Sequence, residues 1–286
     1  MWWLLGLVGL TLSGWVIFST VRILYPERHS LSKPTPAPAR TEHTLTALDG
    51  AQFTVWRLSS PSPRAHLLLC HGYYANRHQV LELAHQLREH HYDVVLFELR
   101  GHGDRPGPCT LGIKERQDAR VILEWLTRDQ SQALPIGVLG FSLGAAVLCQ
   151  VVADHPRIRA VVTDSVYSRL FPIIQRVMWQ RYHIPPFPLS WLTWWSVQIA
   201  LCTRLGRLDP AALAPQLHQP LLAIQGGEDQ RVPSALGQEF YQRWAGSKEQ
   251  WCEPSAGHVG TFALQPQVYC DRVATFFDRA FSQMTG

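Results

Sequence analysis

From about residue 50 onward, short apolar runs alternate with segments whose apolar residues recur every three or four positions. The runs His66–Cys70, Asp93–Leu99, Ile136–Phe141, Ala160–Asp164 and Pro220–Gly226 are short, largely uncharged and rich in Val, Leu and Ile, which predicts core strands buried on both faces. Between the first two, Val80, Leu83, Ala84 and Leu87 follow helical spacing, with Asn76 a candidate N-cap. Ala119, Ile122, Leu123 and Leu126 repeat that spacing, and Val273, Phe276, Phe277, Ala280 and Phe281 form a broad apolar face near the C-terminus. Such alternation predicts an α/β domain with a mostly parallel central sheet flanked by helices.

The N-terminus has a different pattern. Residues 2 to 21 carry no charge, and twenty helical residues rise about 30 Å, the thickness of a bilayer's hydrocarbon core. Trp2 and Trp3 at one edge and Tyr25 at the other sit like interfacial anchors. No basic leading region or small-residue cleavage site marks a signal peptide, so residues 1–25 are expected to form a transmembrane anchor. Arg22, Arg28, Lys33 and Arg40 follow it, which points the rest of the chain to the cytoplasmic side of the membrane. Residues 26–40 have the Pro-rich composition of an extended linker, leaving 41–286 for the globular domain.

Composition narrows the classes. A chain of 286 residues with 46% hydrophobic and 17% charged content is long enough for one well-buried α/β domain. A formal charge of +4 with no basic run argues against a nucleic-acid partner. The cysteines at 70, 109, 149, 202, 252 and 270 form no C-x-x-C pair, so neither a disulfide framework nor a zinc site is expected.

Candidate chemistry sits after the strands, where ligands of open α/β sheets bind. "GFSLG", residues 140–144, puts Ser142 between two glycines at a strand-to-helix junction, the setting of a nucleophilic serine on a sharp turn. With "HGYYANR", "FELRGHGD", "ERQDARVILEWL", "GGEDQRVP" and "AGHVG" in that order, the chain resembles the α/β-hydrolase superfamily over about residues 50 to 284. Within it, the chain is most similar to the serine-aminopeptidase-like and lysophospholipase-like branch, which includes membrane-anchored bacterial members. The resemblance implies an α/β-hydrolase fold and a triad in the chain order Ser142, Asp229, His258. Asp164 is the alternative acid, because some superfamily members carry it after that strand, and the spacing G-x-x-D-x-x-V-P favours Asp229 over Glu228. Backbone N–H groups of Leu143 and Tyr73 match the usual oxyanion donors, with Tyr74 a substitute for the second. His71 and His102, in glycine-flanked turns, are expected to shape loops. Neither an organic cofactor nor a metal is expected, since no dinucleotide fingerprint or phosphate loop is present.

Residues 166–218 occupy the position of the superfamily's cap and hold Trp179, Trp191, Trp194 and Trp195. Three prolines at 185, 186 and 188 break the segment, and Ser190 is placed to cap a shorter helix ending near Gly206, with Leu192, Trp195, Ile199 and Cys202 on one face. That helix is open to three readings: packing over the sheet, an acyl-chain pocket or lid, or a membrane-touching surface. The expected function is a membrane-anchored serine hydrolase acting on a small-molecule or lipid-like carboxylic ester. A peptidase or acyltransferase with the same triad and a non-catalytic tethered scaffold are the alternatives.

Overall fold

In the computed structural model, the described residues are 2–28, 40–128 and 134–282. The helix α1 (Trp2–Leu24) comes first, then β1 (Arg40–Thr46), β2 (Gln52–Leu58) and β3 (Ala65–Cys70). After α2 (Leu81–Glu89) come β4 (Tyr92–Phe97), α3 (Glu115–Leu126), β5 (Ile136–Phe141), α4 (Leu143–Val152) and β6 (Ile158–Asp164). The cap segment holds α5 (Leu170–Tyr182), α6 (Trp191–Ala200) and α7 (Pro210–Leu213). The chain then returns through β7 (Leu221–Gly226), α8 (Ser234–Arg243), β8 (Lys248–Glu253), α9 (Thr261–Leu264) and α10 (Pro266–Ser282).

The eight strands form one sheet in the order β1-β2-β4-β3-β5-β6-β7-β8. From β4 to β8 every pairing is parallel, while β1 and β2 are antiparallel additions at one edge. Each parallel strand divides its side chains between two cores, because successive residues point to opposite faces. Leu67 and Leu69, Val94 and Leu96, and Leu139 and Phe141 meet α2 and α10 on one face. Leu68 and Cys70, Val95 and Phe97, and Ile136 and Val138 meet α3 and α4 on the other. On the first face Phe277 of α10 is fully buried, and truncating such a side chain to alanine costs about 3–5 kcal/mol. The predicted strands and the three predicted helices all lie within this framework.

Three expectations change. Among the described residues, no helix is long and apolar enough to cross a membrane, so the expected N-terminal span is not found. The contacts of α1 give a physical reason. Its last turns are committed to the domain: Ser19 Oγ lies 2.6 Å from Thr193 Oγ1, Thr20 Oγ1 donates to Ser196 Oγ at 3.0 Å, and the Leu24 carbonyl accepts from Cys109 N at 2.7 Å. Phe18 adds a ring contact with Tyr182 of the cap, 5.7 Å between centroids. Second, Ser190 does not cap α6 through its side chain; its backbone is already helical and its hydroxyl donates to the Pro185 carbonyl at 3.2 Å. Third, α6 ends at Ala200 rather than near Gly206; Leu192, Trp195, Ile199 and Cys202 are exposed, while Thr193 and Val197 are buried. Most of the expected linker, residues 29–39, lies outside the described residues.

Candidate active site

Ser142 stands directly after β5 and directly before α4. Its backbone has φ 51° and ψ −113°, a conformation that non-glycine residues rarely adopt and that surrounding structure must hold in place. Two close approaches do this. A Cβ on Gly140 would come within 2.4 Å of the backbone of Ala145, and one on Gly144 within 2.4 Å of the His71 carbonyl oxygen. Glycine at both positions lets α4 start tight against the end of β3, and Ser142 N donates to the Asp164 carbonyl at 2.8 Å. The strained turn aims Ser142, only 8% exposed, at a cavity.

Asp229 lies in the loop after β7, where its side chain is fully buried and multiply bonded. Oδ1 accepts from Arg231 N at 2.9 Å and Val232 N at 2.8 Å, and Oδ2 accepts from Gln225 Nε2 at 3.3 Å. The remaining interaction of Oδ2 is with His258 Nδ1 at 2.8 Å. His258 comes from the loop between β8 and α9. With Nδ1 facing a carboxylate, its hydrogen belongs on that nitrogen and the lone pair of the neutral ring on Nε2. Glu228, by contrast, is exposed.

Asp164, the alternative acid, has different partners. It accepts from Ser165 Oγ and Tyr269 OH, each at 3.0 Å. Complete burial outweighs these donors and pushes its carboxyl up to about 6. Ser165 in turn accepts from Val259 N at 3.0 Å, next to His258. The Asp164 cluster therefore braces the histidine loop from behind.

Ser142 and His258 line one cavity of about 290 Å³, together with Leu143, Tyr73 and Tyr74. Its remaining wall is apolar and comes mainly from the cap: Leu170, Ile173, Ile174, Val177 and Met178 of α5, with Ile23 of α1 opposite. Arg181 and Arg231 supply cationic groups. The Tyr73 hydroxyl donates to the Ile23 carbonyl at 2.7 Å, tying the "HGYY" loop to the N-terminal helix. Burial raises both tyrosines, Tyr74 to about 12, so each phenol stays neutral at physiological pH.

His71 and His102 hold loops, as their glycine-flanked motifs suggest. His71 Nε2 accepts from Leu99 N at 3.1 Å while Nδ1 faces the Gly72 carbonyl at 2.8 Å. His102 Nδ1 faces the Arg100 carbonyl at 2.9 Å, and burial pushes its ring down to about 3, where it is neutral at ordinary pH. Beside them Arg100 clamps Asp118 through Nε and Nη2, both at 2.7 Å. Missing from the sequence reading were the bracing role of Ser165 and Tyr269, and Ile23 as a wall of the cavity. Nothing in a linear pattern marks residues so far apart as neighbours.

A strained serine turn after the third parallel strand, a buried aspartate after β7 and a histidine loop after β8 thus lie at one edge of the sheet. A family model described as alpha/beta hydrolase fold matches residues 65–183. The solved esterase Pf2001 of Pyrococcus furiosus is similar over 91% of this chain and 98% of its own, with a TM-score of 0.74 and 26% identity. The match and this neighbour together support assignment to the α/β-hydrolase superfamily. A relative in Mycobacterium tuberculosis, an uncharacterized protein, is 28% identical over 284 residues, 95% of this chain and 92% of its own. The pimeloyl-[acyl-carrier protein] methyl ester esterase of Neisseria meningitidis is 27% identical over 249 residues, 72% of this chain and 77% of its own. With these neighbours the chain is an esterase-like α/β-hydrolase.

Proposed function

We propose that this α/β-hydrolase cleaves carboxylic esters through an acyl-enzyme, with Ser142 as nucleophile, His258 as general base and acid, and Asp229 as the group that orients His258. The observation that carries this reading is the 2.8 Å contact of His258 Nδ1 with Asp229, made by a histidine that shares its cavity with a strained serine.

In this mechanism Ser142 Oγ attacks the ester carbonyl carbon while its proton passes to His258 Nε2. The carbonyl π electrons move to oxygen, and the backbone N–H groups of Leu143 and Tyr73 receive that oxyanion. One such donor is worth about 2.7–4 kcal/mol of barrier in a serine protease. Collapse expels the alcohol, which takes the proton from His258. Water then attacks the acyl-Ser142 carbonyl, gives a proton to His258, and Ser142 leaves as the alcohol, so the acid is released and the enzyme regenerated. The buried Asp229 carboxylate stabilises the imidazolium in both halves. The aliphatic wall contributed by α5 favours an apolar acyl chain, since each methylene removed from water contributes about 0.8 kcal/mol.

Fluorophosphonate labelling tests the reading. The wild type is expected to label and to hydrolyse p-nitrophenyl esters, with preference for a medium or long acyl chain over acetate. Ser142→Ala should do neither. Labelling of the variant at the wild-type rate would remove Ser142 from its role, and faster cleavage of aminoacyl amides than of esters would replace esterase by peptidase.

A further inference from the structure

The cap and α1 together leave a large apolar surface uncovered. On α1, Trp3 is 72% and Leu10 73% exposed; on the cap, Phe187 is 77%, Trp195 59% and Ile199 73% exposed. The hydrogen bonds of Ser19 to Thr193 and Thr20 to Ser196 lay α1 against α6, so the two helices that carry exposed apolar side chains adjoin. Chains that stay alone in water rarely expose contiguous apolar area on this scale.

Charge around this surface is one-sided. Residues 165 to 208 contain five arginines, at 169, 176, 181, 204 and 207, and no aspartate or glutamate. Residues 2 to 26 contain Arg22 and no acidic residue. Arg22 and Arg181 share Glu27, and Arg169 pairs with Glu239, whereas Arg176, Arg204 and Arg207 are exposed. Tryptophan-rich apolar area bordered mainly by arginine matches the layering of an anionic bilayer surface, with acyl chains below and phosphate-bearing headgroups above.

We infer that α1 and the cap helix α6 form one composite surface that rests on an anionic lipid bilayer, lying at its interface rather than spanning it. The apolar side chains enter the headgroup–acyl boundary and Arg176, Arg204 and Arg207 meet lipid phosphates. Docking on this side places the bilayer next to the two elements, α1 and α5, that wall the Ser142 cavity. The inference holds whether or not Ser142 is the nucleophile.

Vesicle flotation of the full chain tests it, using phosphatidylcholine vesicles with and without 30% phosphatidylglycerol. The wild type should float with the anionic vesicles and less with the neutral ones, and 0.5 M NaCl should weaken the difference. Trp195→Glu with Ile199→Glu should lower the bound fraction at least tenfold, and Arg204→Glu with Arg207→Glu severalfold. Circular dichroism and thermal melting should match the wild type, because all four side chains are exposed. Flotation of the Trp195/Ile199 variant at the wild-type level would overturn the proposal. So would a wild type that ignores both kinds of vesicle but self-associates through the same residues, which would assign the surface to a second copy of the chain.

Discussion

At the carboxyl edge of the sheet, charged side chains find their partners inside the chain: Asp229 engages two backbone amides, Gln225 and His258, and Asp164 engages Ser165 and Tyr269. The cap is built the other way. From Ile184 to Thr203 it carries no charged side chain, and α6 buries Thr193 and Val197 fully and Trp194 in part, while Trp195 and Ile199 are exposed. The first region holds each carboxylate through several directed hydrogen bonds. The second fixes only the position of a surface. Substitutions in the two regions should therefore register in different measurements, and the largest effects belong to the partnered edge.

Ser142→Ala should lower kcat/KM for a p-nitrophenyl ester by about 10⁴-fold or more, in line with removal of other serine nucleophiles, while the melting temperature moves little. Stopped-assay kinetics on the purified variant check it, and residual turnover within a hundredfold of wild type would break the contrast. Next in size is Asp229→Asn, expected to cost about 10³–10⁴-fold because an amide no longer holds His258 in the tautomer with the proton on Nδ1. Asp164→Asn, whose partners are Ser165 and Tyr269, should lose less than tenfold in the same assay. Equal losses at the two positions would mean that both carboxylates serve the histidine.

Much of the partnered edge was legible before any coordinates. Strands β3 to β7 announce themselves because both faces are covered, so their runs are apolar throughout, and the polar motifs then fall where those runs stop. β1 was not legible: "RTEHTLT" is an edge strand with one face in water, and its alternation is too weak to separate from a loop. α5 was missed because its buried positions, Leu170, Ile174 and Met178, are diluted by Ile173, Val177 and Trp179 around the cylinder. The N-terminal helix misled for a related reason. Ser19 and Thr20 look neutral inside an apolar run, yet their hydroxyls meet Thr193 and Ser196, some 174 and 176 residues away. Hydropathy averaged along the chain cannot register such a pairing, which turns a candidate span into a helix docked on the domain.

A pH experiment sharpens the account of Asp164. Its carboxyl is raised from an ordinary 3.8 to about 6 by burial, against the donors Ser165 and Tyr269. Below pH 3.8 the group is protonated in both folded and unfolded chains and has no effect. Between 3.8 and 6 the unfolded chain gives up the proton while the folded chain keeps it, so this group's contribution to stability falls as pH rises and levels off above 6. The shift corresponds to about 3 kcal/mol. Asp164→Asn removes that slope, so urea denaturation should show the variant gaining up to about 3 kcal/mol on the wild type between pH 4 and pH 7. Parallel curves would show that Asp164 ionises in the fold as readily as in water.

The smallest effect probes the cap directly. If the outer face of α6 makes no contact within the chain, Ile199→Gln should change unfolding free energy by no more than about 0.5 kcal/mol, the range of surface substitutions. Turnover of a soluble short-chain ester should stay within twofold, because Ile199 is not part of the cavity wall. Two positions earlier, Val197 is fully buried; Val197→Ser should cost at least about 2 kcal/mol, since it leaves a void and buries a hydroxyl. The pair serves as a ruler for the helix, because both substitutions replace a β-branched apolar residue with a polar one and differ mainly in the side of α6 they occupy. A loss at 199 as large as that at 197 would mean that the outer face is covered in solution. The division between a partnered sheet edge and an open cap would then have to be redrawn.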